Sequence, residues 1–271
     1  MVNIYQNSFY KRLYILLLCL ACITTIVLND SIIIIPTYNE LGNIEKMVRK
    51  VFSLSHPFHL LVIDDGSPDG TAAKVKELQS EFAGRLHLME RKGKLGLGTA
   101  YIAGFKWALE RSYEYIFEMD CDFSHNPGDL LRMYHECHQN GVDLCVGSRY
   151  VPGGGFVNWP KNRILLSKFA SYYVNMVTWI GIKDPTAGFV CYRRKVLETI
   201  DLDKIRFIGY AFQIEMKFAA HKLGFKVKEI PIIFTERVEG VSKMSRNIVK
   251  EGIIGVLEIQ WNSFFNNYKR G

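Results

Sequence analysis

The chain has 271 residues, 48% apolar and 23% charged, with 22 Gly and 8 Pro, which excludes a disordered, collagenous or low-complexity polypeptide. At roughly 150 residues per domain that length fits one large domain or two small ones, enough to bury a core without staples. The 34 Lys and Arg against 27 Asp and Glu leave a net charge of +7, a surplus that suits nucleic acid, an anionic bilayer or a phosphorylated small molecule.

The first element is an apolar, uncharged run from Leu13 to Leu28, preceded by Lys11 and Arg12. As a helix it would reach about 24 Å, short of a roughly 30 Å hydrocarbon core. It is read as an interfacial segment, a membrane anchor or a start-site extension. A signal peptide is weaker, because no A-x-A-like site follows. As an anchor, Lys11 and Arg12 would hold the cytoplasmic side and push the remaining chain across, which conflicts with cytosolic nucleotide chemistry. Residues 1–30 are therefore kept apart from the fold.

From Ser31 short apolar runs alternate with helical periods. Ile32–Ile35 predicts a strand buried on both faces, stopping at Pro36. Asn43 is the expected cap of a helix whose apolar face is Ile44, Met47, Val48 and Val51. Leu60–Ile63 is the next strand, followed by a helix on Val75, Leu78 and Phe82, then a strand at Leu86–Met89. Lys94–Gly98 leads into a helix through Leu109. A strand at Tyr115–Met119, a helix on Leu130, Leu131, Tyr134 and Cys137, and a strand at Val142–Val146 complete a βα alternation that predicts an α/β fold with a mostly parallel sheet flanked by helices.

Pro152-Gly153-Gly154-Gly155 breaks the pattern. A helix from Arg163 to about Ile180 follows, then Asp184-Pro185-Thr186-Ala187-Gly188, a strand at Phe189–Tyr192, a helix around Gln213–Leu223, a strand at Lys226–Ile230 and a last helix over about Ile248–Phe264. The expected organisation is an apolar segment over 1–30, a single catalytic domain over 31–246 and an amphipathic C-terminal helix over 247–271.

Ligands of open α/β sheets bind outside the carboxyl ends of the strands. Here those ends read Pro36-Thr37-Tyr38-Asn39-Glu40, Asp64-Asp65-Gly66, Asp120-Cys121-Asp122 and Gly147-Ser148-Arg149. Crowded carboxylates repel one another unless a cation or a base bearing N–H donors sits between them. Asp120-x-Asp122 at the end of an apolar strand suits a hard divalent cation, which takes one or two carboxylates and completes its shell with substrate phosphates. Gly93-Lys94-Leu95-Gly96-Leu97-Gly98 is no dinucleotide fingerprint, since Tyr101 stands where the third Gly belongs and the first strand lies elsewhere; no P-loop motif exists. Nucleic acid is set aside because no zinc-finger spacing or basic–aromatic interleaving occurs. The six cysteines are Cys19, Cys22, Cys121, Cys137, Cys145 and Cys191. The Cys19-x-x-Cys22 pair lies inside the apolar run, the others read as small core residues, and a reducing compartment is the default.

Several of these stretches carry a resemblance: Pro36–Glu40, Ile63-Asp64-Asp65-Gly66-Ser67-Pro68-Asp69-Gly70-Thr71, Lys94–Tyr101, Met119-Asp120-Cys121-Asp122-Phe123-Ser124-His125, Gly147-Ser148-Arg149-Tyr150 and Arg237-Val238-Glu239-Gly240-Val241-Ser242-Lys243. From Ser31 to about Arg246, about four-fifths of the chain, the sequence resembles family 2 glycosyltransferases, and within them dolichol-phosphate (polyprenol-phosphate) mannosyltransferases. Cys121 departs from the family's usual Ala, at a position where only the backbone matters. The C-terminal transmembrane helices of many prokaryotic relatives have no counterpart here.

The resemblance implies a GT-A fold, GDP-mannose as donor, a divalent metal (Mg2+ or Mn2+) and a polyprenyl or dolichyl phosphate acceptor. It places Pro36, Tyr38, Glu40, Ile63 and Asp65 on the guanosine, and Asp120, Asp122 and Ser124 on the metal, with Cys121 contributing backbone to the nucleotide-sugar site. Arg149, Arg237 and Lys243 would meet donor phosphates, and Arg149, Arg163 and Ser167 the acceptor phosphate; Asp122, Arg149 and Arg163 are the expected catalytic residues. A phosphate monoester with a second pKa near about 6 is already largely ionised at neutral pH, so no dedicated general base is expected, and direct attack would invert an α-linked donor.

None of the seven histidines, His56, His59, His87, His125, His135, His138 and His221, has metal-ligand spacing; His125 lies beside the metal motif, with a structural role preferred. Glu215 could face the cleft or lie on a helix surface. The acceptor's tail must stay in the bilayer, so expected docking surfaces are the 164–180 helix (Phe169, Tyr172, Tyr173, Met176, Trp179) and the C-terminal helix with Trp261, Phe264, Phe265, Tyr268, Lys269 and Arg270. The expected site of action is the cytoplasmic face of a membrane, held peripherally or by the N-terminus, with a small membrane-anchoring partner as a further expectation. Two other readings are a hexosyltransferase using a UDP-sugar and a non-catalytic nucleotide-sugar-binding subunit.

Overall fold

β1 (Ser31–Thr37) forms the centre of the sheet because its isoleucines serve two cores at once. Ile33 and Ile35 pack with Ile44, Met47, Val48 and Val51, while Ile32 and Ile34 pack with Ala100, Tyr101 and Phe105 on the other face. This is the period-two alternation of a strand covered by helices on both sides. The computed structural model describes residues 30–209, 211–236, 246–265 and 267–271, with the backbone alone at 246–251. The N-terminal run with Cys19 and Cys22, and the segment with Arg237 and Lys243, lie outside the described residues.

The further elements are α1 (Leu41–Phe52), β2 (His59–Asp64), α2 (Thr71–Glu81), β3 (Leu86–Glu90), α3 (Leu97–Leu109), β4 (Tyr115–Glu118), α4 (Asp129–His138) and β5 (Leu144–Ser148). After them come β6 (Gly155–Val157), α5 (Lys161–Thr178), β7 (Val190–Arg193), α6 (Arg194–Thr199), α7 (Ala211–Lys222), β8 (Val227–Pro231), β9 (Ile233–Thr235) and α8 (Arg246–Asn262). The main sheet has the order β3-β2-β1-β4-β7-β5-β8, and β6 pairs with β9 in a small parallel sheet. The pairings are parallel except at β7, which runs antiparallel to both β4 and β5. The carboxyl ends of β1, β2, β4 and β5 consequently share one edge.

Several expectations need correction. β1 does not stop at Pro36 but runs to Thr37, in register with β2 through Pro36↔Ile63 and Thr37↔Asp64. The Ile34 carbonyl accepts from Met119 on the β4 side, and Thr37 accepts from Asp65 on the β2 side. Alternation therefore turns the missing Pro36 N–H toward the β4 side, past the last β1–β4 pair at Ile34↔Glu118, where no ladder bond is lost. Asn43 does not cap α1: the helix starts at Leu41, the Glu40 carbonyl accepts from Asn43 and Ile44, and the Asn43 amide donates to Glu40 Oε2 at 2.9 Å. The anticipated apolar face of α1 is the buried one.

Glu215 is neither in a cleft nor on a surface. Its buried carboxylate accepts from the backbone N–H groups of Arg206 and Phe207 at 2.9 and 3.0 Å, and from the Tyr268 hydroxyl at 3.5 Å. It ties the loop before α7 to the C-terminal tail, and burial pushes its carboxyl up. Cys121, Cys137, Cys145 and Cys191 are free, buried thiols. No helix among the described residues is long and apolar enough to cross a membrane.

Candidate active site

The shared sheet edge is assembled by polar bonds between turns. Thr37 Oγ1 donates to Asp64 Oδ1 at 3.0 Å, and Asp64 also accepts the backbone and hydroxyl of Ser67 at 2.8 and 2.6 Å. The N–H groups of Asn39 and Glu40 donate to the hydroxyls of Ser67 and Thr71, and that of Leu41 to Asp69. Asp64 is thus spent on holding the turns after β1 and β2 together. Asn39 takes a positive φ of 61°, as does Phe123 at 60° within Asp120–Ser124. Two non-glycine residues in the left-handed region at neighbouring strand ends are strain of the kind found at functional sites.

Asp65 is gripped by Arg91, whose Nε and Nη2 donate to its two oxygens at 2.6 and 2.8 Å while Nη1 reaches Thr99 at 2.8 Å. Sequence reading missed Arg91. The signal was its position directly after β3, at the same edge as the carboxylates. Lys94, from the Gly-rich segment, lies 5.0 Å from the Tyr38 ring centroid. Pro36, Tyr38, Glu40, Ile63 and Asp65 therefore stand on the adjoining ends of β1 and β2.

Asp120 and Asp122 follow β4, next to β1. Asp122 is buried and its Oδ1 accepts from the Ser124 N–H at 3.0 Å, while the Ser124 carbonyl accepts from Thr235 of β9. Burial pushes the Cys121 thiol up, and the negative charge of Glu40, Asp122 and Asp120 adds to it; the three carboxylates thus share one field. Among the described residues no group of three or more His, Cys, Asp or Glu could hold a metal. Two aspartates alone suit a hard cation whose other positions go to water and phosphate oxygens. The donor set fits Mg2+ or Mn2+ in that mode. His125 is buried and stacks on Phe189 at 5.0 Å, with its edge contact to Phe234 at 5.5 Å. Burial brings its imidazole down to about 4, so it is neutral at pH 7.

Behind the edge lies a buried polar cluster with no warning in the sequence. Gln213 Nε2 donates to Glu118 Oε2 at 2.5 Å, and the wholly buried Lys217 amine donates to the Ala187 carbonyl at 2.6 Å and to Gln213 Oε1 at 3.0 Å. Burial raises the Glu118 carboxyl and lowers the Lys217 amine, and each charge partly offsets the other's shift. The cluster links β4, just before Asp120, to the turn containing Asp184.

Arg149, at the end of β5, donates from Nε and Nη2 to the two oxygens of Asp184 at 2.7 and 2.6 Å and from Nη2 to Thr186 at 2.9 Å. Asp184 is fully buried. The rings of Tyr150, Phe156, Trp159 and Phe234 lie 5.5–6.0 Å from the guanidinium carbon. Gly154 closes this arrangement from below: a Cβ there would stand 2.6 Å from the Ser148 carbonyl and 3.0 Å from the Arg149 carbonyl. Gly154→Ala is expected to cost about 1–3 kcal/mol, since overpacking is met here by backbone. Gly155→Ala, whose nearest contact would be Ile233 at 3.7 Å, should melt like the parent in the same thermal scan.

Arg163 and Ser167 lie one turn apart on α5. Arg163 Nη1 donates to Glu236 Oε1 at 2.8 Å, directly before the segment holding Arg237 and Lys243. Ser167 is buried and its hydroxyl has no partner among the described residues. Sequence reasoning thus located the strand ends and α5, but not Arg91, Asp184 as the partner of Arg149, or the Glu118–Gln213–Lys217 cluster.

A mostly parallel sheet flanked by helices, with strained acidic turns at one edge, is the architecture of nucleotide-sugar transferases of the GT-A type. The family model for "Glycosyl transferase family 2" matches residues 32–201, and the chain belongs to that family. It is 48% identical over 228 residues to a polyprenol monophosphomannose synthase of Mycolicibacterium smegmatis, covering 84% of this chain and 86% of the relative. It is 43% identical over 223 residues to an undecaprenyl-phosphate mannosyltransferase of Micrococcus luteus, covering 82% and 90%. Among solved structures, glucosyl-3-phosphoglycerate synthase of Mycobacterium tuberculosis, in complex with Mn2+, UDP-glucose and phosphoglyceric acid, shares the fold. Its TM-score is 0.63 at 16% identity, over 86% of this chain and 80% of that one.

Proposed function

We propose that this glycosyltransferase moves mannose from GDP-mannose to a polyprenyl (dolichyl-type) monophosphate, with inversion at the anomeric carbon. The observation that carries the reading is the acidic strand-end edge around Asp120 and Asp122, in a chain whose two cited relatives are both named for mannosyl transfer to or from a polyprenyl phosphate.

In this reading the ends of β1 and β2, with Pro36, Tyr38, Glu40, Ile63 and Asp65, receive the guanosine. Asp120 and Asp122, with Ser124 beside them, would hold a divalent cation, which would supply charge neutralisation on the departing diphosphate. Arg237 and Lys243 contribute charge-assisted bonds to the same phosphates. The acceptor's phosphate oxygen forms a bond to the anomeric carbon as the bond to GDP breaks, and GDP leaves with the electron pair. No side chain has to remove a proton, since the acceptor is already an anion. Arg149, Arg163 and Ser167 hold two mutually repelling phosphates in line, an electrostatic and positional task.

In this reading the acceptor's tail brings the reaction to a membrane, and the nucleotide-sugar donor puts it on the cytoplasmic face. The outer faces of α5 and α8 suit that place: Tyr172, Trp179 and Phe265 are 71%, 81% and 73% exposed, with Phe169, Met176, Trp261 and Phe264 around them. The Tyr173 hydroxyl donates to the Ile253 carbonyl and locks the two helices side by side. Large apolar side chains exposed in this way on two neighbouring helices support a membrane-facing role.

The test is transfer by the purified protein to polyprenyl phosphate in vesicles. Mannose should pass from GDP-mannose, stop with EDTA and return with Mg2+ or Mn2+. Efficient transfer from UDP-glucose alone would replace the donor, and undiminished activity in EDTA would remove the metal.

A further inference from the structure

Glu118 and Lys217 are wholly buried charged side chains that take no part in the proposed chemistry. Lys217 lies on α7, where every residue from Ala211 to Ala220 is buried. Burial works against both charges, and exchanging such a pair for apolar side chains of similar volume is often neutral or stabilising. Stability alone therefore gives little reason for the pair.

A different reason lies in the sheet order. β7 stands between β4 and β5 and runs antiparallel to both, so its amino end reaches the edge where β4 and β5 finish. The residues leading into it, 184–189, therefore lie between the Asp120–Ser124 turn and Arg149. At this gap the Lys217 amine uses all three N–H bonds, on the Ala187 carbonyl at 2.6 Å, Gln213 Oε1 at 3.0 Å and the Gln213 carbonyl at 3.1 Å. A lysine only donates, so Gln213 must turn its oxygen to Lys217 and its amide N–H to Glu118 Oε2, at 2.5 Å. Glu118 is the last residue of β4, directly before Met119 and Asp120. On the other side the Ala187 N–H donates to the Asp184 carbonyl at 3.3 Å, and the Asp184 carboxylate holds the Arg149 guanidinium. A line of hydrogen bonds thus runs from the strand bearing the two aspartates to Arg149.

We infer that Gln213 and Lys217 are positioning residues of the transfer reaction, which fix the separation between the Asp120–Ser124 turn and Arg149. In the proposed function, on which this inference rests, the departing diphosphate meets the first of these and the acceptor phosphate the second. Two anions that repel each other react only when held at a set distance, and a misplacement of about 1 Å costs about a hundredfold in rate. Neither residue touches substrate; each acts through the groups it holds.

The test variant is E118Q/K217M in the full-length protein. It removes both buried charges at once, keeps an acceptor for the Gln213 amide and cuts the tie to Ala187. Assayed well below its melting temperature, it should lose about tenfold or more in kcat, with the Mn2+ requirement and both KM values within about threefold of the parent's. Parental kcat in the folded variant would overturn the inference, because a pair that serves the fold alone lowers only the melting temperature. A kcat loss matched by an equal rise in Mn2+ requirement would also overturn it, by assigning the pair to the cation's field. Hydrogen exchange gives a reading that needs neither activity nor a variant. In the ligand-free parent the hydrogen-bonded amides of Met119 and Ser124 should open together with those of Asp184 and Ala187, as one cooperative unit with one dependence on denaturant. In E118Q/K217M the two pairs should open separately. A parent that transfers mannose while its two pairs open separately keeps the function and loses the positioning role. A parent that transfers only from UDP-glucose loses the proposed donor and keeps the positioning role, with kcat then read on that donor.

Discussion

Asp122→Asn should lower kcat/KM for mannosyl transfer by about a thousandfold, a loss of about 4 kcal/mol of transition-state stabilisation, while leaving the melting temperature nearly unchanged. The two effects separate because the carboxylate holds a turn and, in the proposed function, also holds the cation. Its Oδ1 accepts from the Ser124 N–H at 3.0 Å and so holds the turn in which Phe123 sits at positive φ. An asparagine carbonyl can still accept that bond. It cannot supply the negative charge that a hard cation needs from a site with only two aspartates. The variant should retain the fold by circular dichroism and require far more Mn2+ for whatever activity remains. A variant with more than a tenth of parental activity at the same metal requirement would remove Asp122 from the metal site. A non-catalytic subunit would keep its function through this substitution.

The sheet and the acidic edge were legible because they rest on burial. A run such as Ile32–Ile35 has only one economical place, between two helical layers, and once the strands are parallel their ends collect. Direction was less legible. β7 is as apolar as its neighbours, yet it enters antiparallel between β4 and β5, and periodicity records which side chains are buried, not which way the chain runs. The extension of β1 through Pro36 depended on which neighbour had already ended, a tertiary fact. β6 and β9 are three residues each, too short to leave a pattern. The site residues that escaped were those whose role lies in a partner. Arg91 matters through Asp65, and Glu118 and Lys217 are charged residues inside segments read only as a strand and a helix. Asp184 opens the segment between the long helix and the strand at Phe189–Tyr192, but nothing in its neighbours named Arg149.

That last pair carries the second large effect. Asp184→Asn should destabilise the protein by about 3–5 kcal/mol, because breaking a buried ion pair leaves the other charge in place without its counter-ion. At roughly 2–4 °C per kcal/mol for a chain of this size, the melting temperature should fall by about 10 °C, and transfer should fall with it. Asp184 is wholly buried and takes the Arg149 backbone N–H as well as two guanidinium bonds, so the side chain loses its orientation together with its charge balance. The double variant R149M/D184L distinguishes stability from chemistry. Replacing both partners with apolar side chains removes the desolvation problem and should recover most of the lost melting temperature. Transfer should not recover, because methionine offers no N–H donors to phosphate oxygens, whereas guanidinium offers a planar fork of them. A D184N protein that melts like the parent would show that the pair is hydrated. A double variant that is both stable and active would show that Arg149 serves the fold alone, and the phosphates would then depend on Arg163 and the segment containing Arg237 and Lys243.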